Sequence, residues 1–109
     1  MDIHGIYVKG AIDRETRCHH YQTEKDRIAI KFYCCKQFFP CYQCHADYGC
    51  GKRAVWPRDQ FHMKAVLCGT CGYTLTVTQY LMSGDKCPSC QSPFNPGCSR
   101  HTSLYFATS

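Results

Sequence analysis

Two stretches of the chain alternate apolar and polar side chains with the two-residue period of a strand. In the first, Ile28, Ile30 and Phe32 alternate with Lys31 and Tyr33, which predicts a half-buried strand. In the second, Tyr73, Leu75 and Val77 alternate with Thr74, Thr76 and Thr78. Tyr21 to Asp26 is polar and turn-like, and Trp56-Pro57 reads as a packed loop anchor. No apolar run approaches the ~18 residues of a membrane helix. The pattern predicts short β-hairpins with little helix.

Composition changes this picture, because the apolar residues are too few for an ordinary core. Ile, Leu, Val and Phe together number 19 in 109 residues, whereas cysteine alone accounts for 11 and histidine for 6. Both predicted strands abut cysteines: the first runs into Cys34-Cys35, and the second follows Cys71. A disulfide scaffold fits poorly. The cysteine count is odd, Cys34 and Cys35 are adjacent, and a bridge between neighbours is strained. Met1 to Gly5 carries neither a basic nor an apolar signal region, so the expected location is the cytoplasm, where thiols stay reduced.

The spacing points to metal. Cys68-x2-Cys71 and Cys87-x2-Cys90 have the step and separation of a four-cysteine zinc ribbon. Gly72 follows the second thiolate, where a positive φ is often needed, and Pro88 pre-sets the turn of the second knuckle. The first half is denser and less regular. Cys18, His20, Cys34, Cys35, Cys41, Cys44, His45 and Cys50 are eight candidate donors, enough for two four-coordinate sites. Neighbouring residues usually project apart, so Cys34 and Cys35 are expected to feed different ions, and so are Cys44 and His45. Two interleaved sites follow, with the pairing of donors left open.

The ordered set Cys18-x-His20-Tyr21, Cys34-Cys35, Cys41-x2-Cys44-His45, Cys68-x2-Cys71 and Cys87-x2-Cys90 resembles the CHY-type zinc finger family. Phe94 to Cys98, His101 and Leu104 to Phe106 look like the tail of its stand-alone microbial members. The resemblance implies three structural zinc ions in a small zinc-dominated domain of short β-hairpins, zinc knuckles and a zinc ribbon. It divides the chain into an N-terminal segment, 1–17, and a zinc finger domain, 18–106. Within the domain, 18–62 holds two interleaved sites, 63–93 a ribbon lobe and 94–106 a C-terminal tail. Relatives include part of a vertebrate RING-type ubiquitin ligase and a small fungal protein of the mitochondrial intermembrane space that helps assemble the small Tim chaperones. The family usually carries a histidine shortly after the C-x2-C-H step. Here Cys50 stands in that neighbourhood, with His62 as its rival for the fourth donor place.

Cys98 and His101 also have a metal-ligand step, and are additional candidates beside the reading as a buried thiol and a packed histidine. His19 is expected to face solvent. His4 lies in a segment expected to be mobile and receives no role. Catalysis finds little support, since no acidic residue sits in an H-x-E or H-E-x-x-H arrangement. A structural zinc-binding module with an unidentified protein partner is the leading reading, of accessory or chaperone-like kind. Thiol-redox or zinc-handling work is the second. Nucleic-acid binding is the third, and it weakens on inspection. The formal charge of +5 falls to about +1 once ten cysteine ligands are thiolates on three dications.

Structural zinc contributes on the order of 10 kcal/mol per site, against roughly 5–15 kcal/mol for a whole ordinary domain. The metal-free chain is therefore expected to be largely unfolded. Retention of native NMR dispersion after EDTA treatment would contradict this.

Overall fold

The computed structural model describes residues 1–52, 54–95 and 105–107. Strands β1 (Asp2–Ile3) and β2 (Ile6–Tyr7) form an N-terminal hairpin. Its two-residue turn has φ 52° at His4 and 84° at Gly5, the left-handed values that suit the twist of a tight hairpin. Strands β3 (Ile28–Lys31), β4 (Phe38–Phe39), β5 (Lys64–Cys68) and β6 (Thr74–Thr76) form an antiparallel sheet in the order β4-β3-β5-β6. Helix α1 (Tyr42–Tyr48) follows β4, and helix α2 (Val77–Leu81) follows β6.

The two-residue period of β3 does more than the sequence predicted. Ile28 and Ile30 enter the main core with Phe32, Phe39, Val66, Leu75 and Trp56. Ala29, on the opposite face, is also buried, together with Leu67 of β5, Ile3 and Val8. A strand expected to be half-buried is thus covered on both sides, and the N-terminal segment supplies the second cover. Residues 1–17 are therefore not a mobile appendage. The Lys9 amide donates to the Phe38 carbonyl at 3.0 Å, which ties the segment to the sheet edge.

The expected ribbon lobe is likewise part of this sheet. Its first strand β5 pairs along β3, with Ile28 opposite Cys68 and Ile30 opposite Val66. Its second strand is shorter than the alternation of Tyr73 to Thr78 suggests. Thr76 accepts from the Gln79 amide at 3.0 Å while the Gln79 side chain accepts from the Thr76 amide at 2.9 Å. This capping box starts α2 at Val77, so the local T-x-x-Q signal overrides the β period. Trp56 is the anchor its sequence context suggested. Its Nε1 donates to the Lys31 carbonyl at 2.6 Å, and its backbone bonds to Tyr105 and Ala107. Phe94, Tyr105 and Phe106 bury their rings in the core, so described parts of the C-terminal tail belong to the fold.

Truncating Ile3 to alanine is expected to cost about 2–4 kcal/mol, the usual penalty for emptying a core aliphatic site. Chemical denaturation would read it. A change within about 0.5 kcal/mol, typical of surface positions, would contradict the packing of residues 1–17 into the core.

Candidate metal centres

Among the described residues, twelve donor side chains gather into three tetrads, and within each the donor atoms all lie within 4.8 Å of one another. The first holds Cys18, His20, Cys41 and Cys44; the second Cys34, Cys35, His45 and Cys50; the third Cys68, Cys71, Cys87 and Cys90. The first two alternate along the chain, two donors at a time.

Helix α1 joins the first two tetrads. Cys41 is its N-cap, and its sulfur accepts from the Cys44 amide at 3.3 Å. Successive helical residues point about 100° apart, so Cys44 turns to the first tetrad and His45 to the second. Cys34 and Cys35 behave differently. They sit in a tight turn closed by Lys36 at φ 57°, and both sulfurs reach the second tetrad. The expectation that they feed different ions is corrected by this turn, because the projection argument holds on regular elements only.

Tetrad three is built from two matching turns. The Gly72 amide donates to the Cys68 carbonyl and the Gln91 amide to the Cys87 carbonyl, both at 2.9 Å. Gly72 and Gln91 hold equivalent left-handed conformations, φ 83° and 66°. Glycine is at home in that conformation, whereas Gln91 adopts it at a steric cost.

The spacing of donors tests whether an ion fits. A tetrahedral zinc with bonds of ~2.3 Å to sulfur and ~2.05 Å to nitrogen requires edges of roughly 3.8 Å between sulfurs and roughly 3.5 Å from sulfur to nitrogen. In the first tetrad Cys18 and Cys41 are 3.6 Å apart, and His20 Nδ1 lies 3.8, 3.5 and 3.4 Å from Cys18, Cys41 and Cys44. In the third, Cys68 to Cys90 is 3.8 Å and Cys71 to Cys87 is 3.7 Å. The second is slightly tighter: Cys34 lies 3.4 Å from Cys50 and 3.1 Å from His45 Nε2, and Cys50 lies 3.7 Å from that nitrogen. None of these sulfur pairs is near the ~2.05 Å of a disulfide. The donor sets are compatible with three zinc ions.

Electrostatics points the same way. In each tetrad one thiol is drawn down and at least one other is pushed up. Hydrogen bonds from the Cys41 and Cys44 thiols bring Cys18 to about 2, while the Cys18 sulfur is the largest cause pushing Cys41 up to about 12. Cys44 is raised by both neighbours. Burial, then the Cys50 sulfur, raises Cys34 to about 11, whereas the Lys52 amide leads in lowering Cys50. Burial raises Cys68 and Cys87; it also opposes ionisation of Cys90, but hydrogen bonds from Ser92 and the neighbouring thiols outweigh it and bring Cys90 to about 6. Crowded sulfurs repel further negative charge, and a dication in their midst removes that penalty. Burial also lowers the pKa of His45, which keeps its imidazole neutral and its lone pair available.

The rings around these centres are packing groups. Phe32 stacks on His45 with centroids 4.2 Å apart, and Phe39 meets it edge-on at 5.1 Å. On the opposite side of α1, His20 Nε2 donates to Asp47 Oδ2 at 3.1 Å. Asp47 was no candidate in the sequence, because the helix was not foreseen. Once residues 42–48 are helical, Asp47 lies three places after Cys44 and on the same face. His62 and His19 are exposed and belong to none of the three tetrads found among the described residues. Cys98 and His101 lie outside the described residues.

Three cysteine-rich tetrads closing around a small sheet define a zinc finger protein. The chain belongs to the CHY zinc finger family, whose model matches residues 18–99. It is 39% identical over 95 residues to an uncharacterised protein of Schizosaccharomyces pombe, covering 87% of this chain and 83% of that one. It is 36% identical over 104 residues to Helper of Tim protein 13 of Saccharomyces cerevisiae, covering 93% and 89%. The protein of the same name from Kluyveromyces lactis is 36% identical over 101 residues, covering 93% and 87%. No solved structure matches this chain.

A carboxylate that orients a ligand histidine typically contributes 10–100-fold in metal affinity. Asp47→Asn is therefore expected to weaken the His20 tetrad by about that factor and leave the other two unchanged. Chelator titration of the cadmium-113 protein, followed site by site by NMR, would show it. Equal affinity at all three sites in variant and parent would exclude this role for Asp47.

Proposed function

We propose that the protein is a zinc-stabilised accessory module that acts on a Tim protein through its folded surface, with no chemistry of its own. In this reading Cys18, His20, Cys41 and Cys44 hold one zinc, Cys34, Cys35, His45 and Cys50 a second, and Cys68, Cys71, Cys87 and Cys90 a third. The observation that carries it is the near-tetrahedral spacing of three complete donor sets. Each set supplies all four ligands from the protein, the arrangement of structural rather than catalytic zinc. The partner class is supported by two relatives named Helper of Tim protein 13, matched over about nine-tenths of each chain.

The ions would serve the function by fixing loops that could not hold their shape alone. Ligands must be deprotonated to bind, so acid competes with zinc at ten sulfurs. Cytoplasmic residence, the expectation from the N-terminus, is separable from residence with Tim proteins by cell fractionation.

Elemental analysis is expected to return three zinc ions per chain, and capture with the tagged, zinc-loaded chain to recover a Tim protein in stoichiometric amount. The same capture after chelation should fail. Recovery of no Tim protein by the loaded chain would remove the partner assignment. Rapid zinc release by mild peroxide would favour thiol-redox or zinc-handling work instead, and salt-sensitive nucleic-acid affinity would favour the third reading.

A further inference from the structure

The third tetrad is asymmetric in its surroundings. In its second knuckle, Pro88, Ser89 and Gln91 are all exposed. In its first knuckle, every residue that is not a cysteine meets the N-terminal segment. Gly69 lies against the backbone of Glu15 so closely that a Cβ there would fall 2.4 Å from the Glu15 carbonyl oxygen. Its own carbonyl accepts from His4 Nε2 at 2.9 Å. Thr70 Oγ1 donates to Glu15 Oε2 at 2.7 Å, and Glu15 is held in turn by Arg17 at 3.2 Å. Gly72 lies under the imidazole of His4, where a Cβ would come within 2.7 Å of the ring.

These contacts arise from two separate pieces of the segment. His4 sits at the tip of the β1–β2 hairpin, which is fixed by burial of Ile3 and Val8. Glu15 sits in the loop that Asp13 organises by accepting from the amides of Glu15 and Arg17 at 2.9 and 3.1 Å. The segment therefore grips the knuckle from two sides. An ion leaves only when its donors draw away from it, and the grip opposes any such movement of Cys68 and Cys71.

We propose that residues 1–17 act as a clamp that sets how fast the ion leaves the four-cysteine site, with His4 and Glu15 as positioning residues. The proposal rests on that tetrad holding a metal ion. It assigns a role to a segment that precedes the residues matched by the family, 18–99. His4 and Glu15 act through Gly69, Thr70 and Gly72.

The test uses the full chain loaded with cadmium-113, whose NMR signal separates a four-sulfur site from the two sites of three sulfurs and one nitrogen. Exchange into excess chelator is followed at each signal. His4→Ala combined with Glu15→Ala should speed release from the four-sulfur site by about tenfold or more, the lower end of the effect of losing outer contacts to a metal site. The other two sites should release at the parent rate. Gly69→Ala, which pushes a methyl group into the Glu15 backbone, should do the same with the side chains of His4 and Glu15 still present. His4→Ala alone gives a milder version should the double variant fold poorly. Unchanged release at all three sites, or a parallel increase at all three, would overturn the clamp. A parent chain that shows no four-sulfur signal would overturn both the clamp and the three-zinc reading. Three ions with unchanged release would overturn the clamp alone.

Discussion

Ten cysteine sulfurs in three tight groups cannot all be negative unless something positive sits among them. This constraint governs the rest of the molecule. The protein's own hydrogen bonds lower one thiol in each tetrad, Cys18, Cys50 and Cys90, and the crowding and burial of the others raise at least one partner in each. A dication reverses that balance by making every sulfur a ligand. The same attraction replaces the apolar burial that a chain with only 19 Ile, Leu, Val and Phe residues lacks.

The sheet and the metal centres depend on one another. Strand β3 carries the main core on one face and the N-terminal cover on the other, and it leads directly into the turn that bears Cys34 and Cys35. Strand β5 ends at Cys68, so a ligand is also a core residue at the end of a central strand. Helix α1, only 7 residues long, is too short to persist alone. It is held because Cys41 and Cys44 belong to one tetrad and His45 to the next. Loss of either ion would loosen the element that orients ligands for the other.

Family membership and geometry meet in the closed character of the three sites. Each tetrad is made up of four protein side chains, and bulky rings such as Phe32, Phe39 and Trp56 share one core with ligands of all three. Such a body presents a fixed surface. The loss of most formal charge on zinc binding removes the electrostatic reason to look to nucleic acid first.

The sequence by itself determined most of the donor candidates, since Cys and His at short fixed steps have few other uses; the choice of Cys50 over His62 came only with the tertiary structure. The sequence also determined the ribbon knuckles, the β3 strand and the anchoring of Trp56, because turn residues and two-residue alternation are local signals. Sharing of donors between sites was decided by tertiary structure. Cys44 and His45 separate because they lie on a helix, while Cys34 and Cys35 converge because they lie in a tight turn, and adjacency alone does not distinguish the two. The start of α2 was legible in the Thr76–Gln79 capping box, yet the stronger-looking strand alternation masked it. Asp47 and the N-terminal segment were the deepest omissions. Asp47 meets His20 across 27 residues, and Glu15 meets Thr70 across 55. Contacts at such separations are made by the closure of the chain around its ions, and no local pattern encodes them.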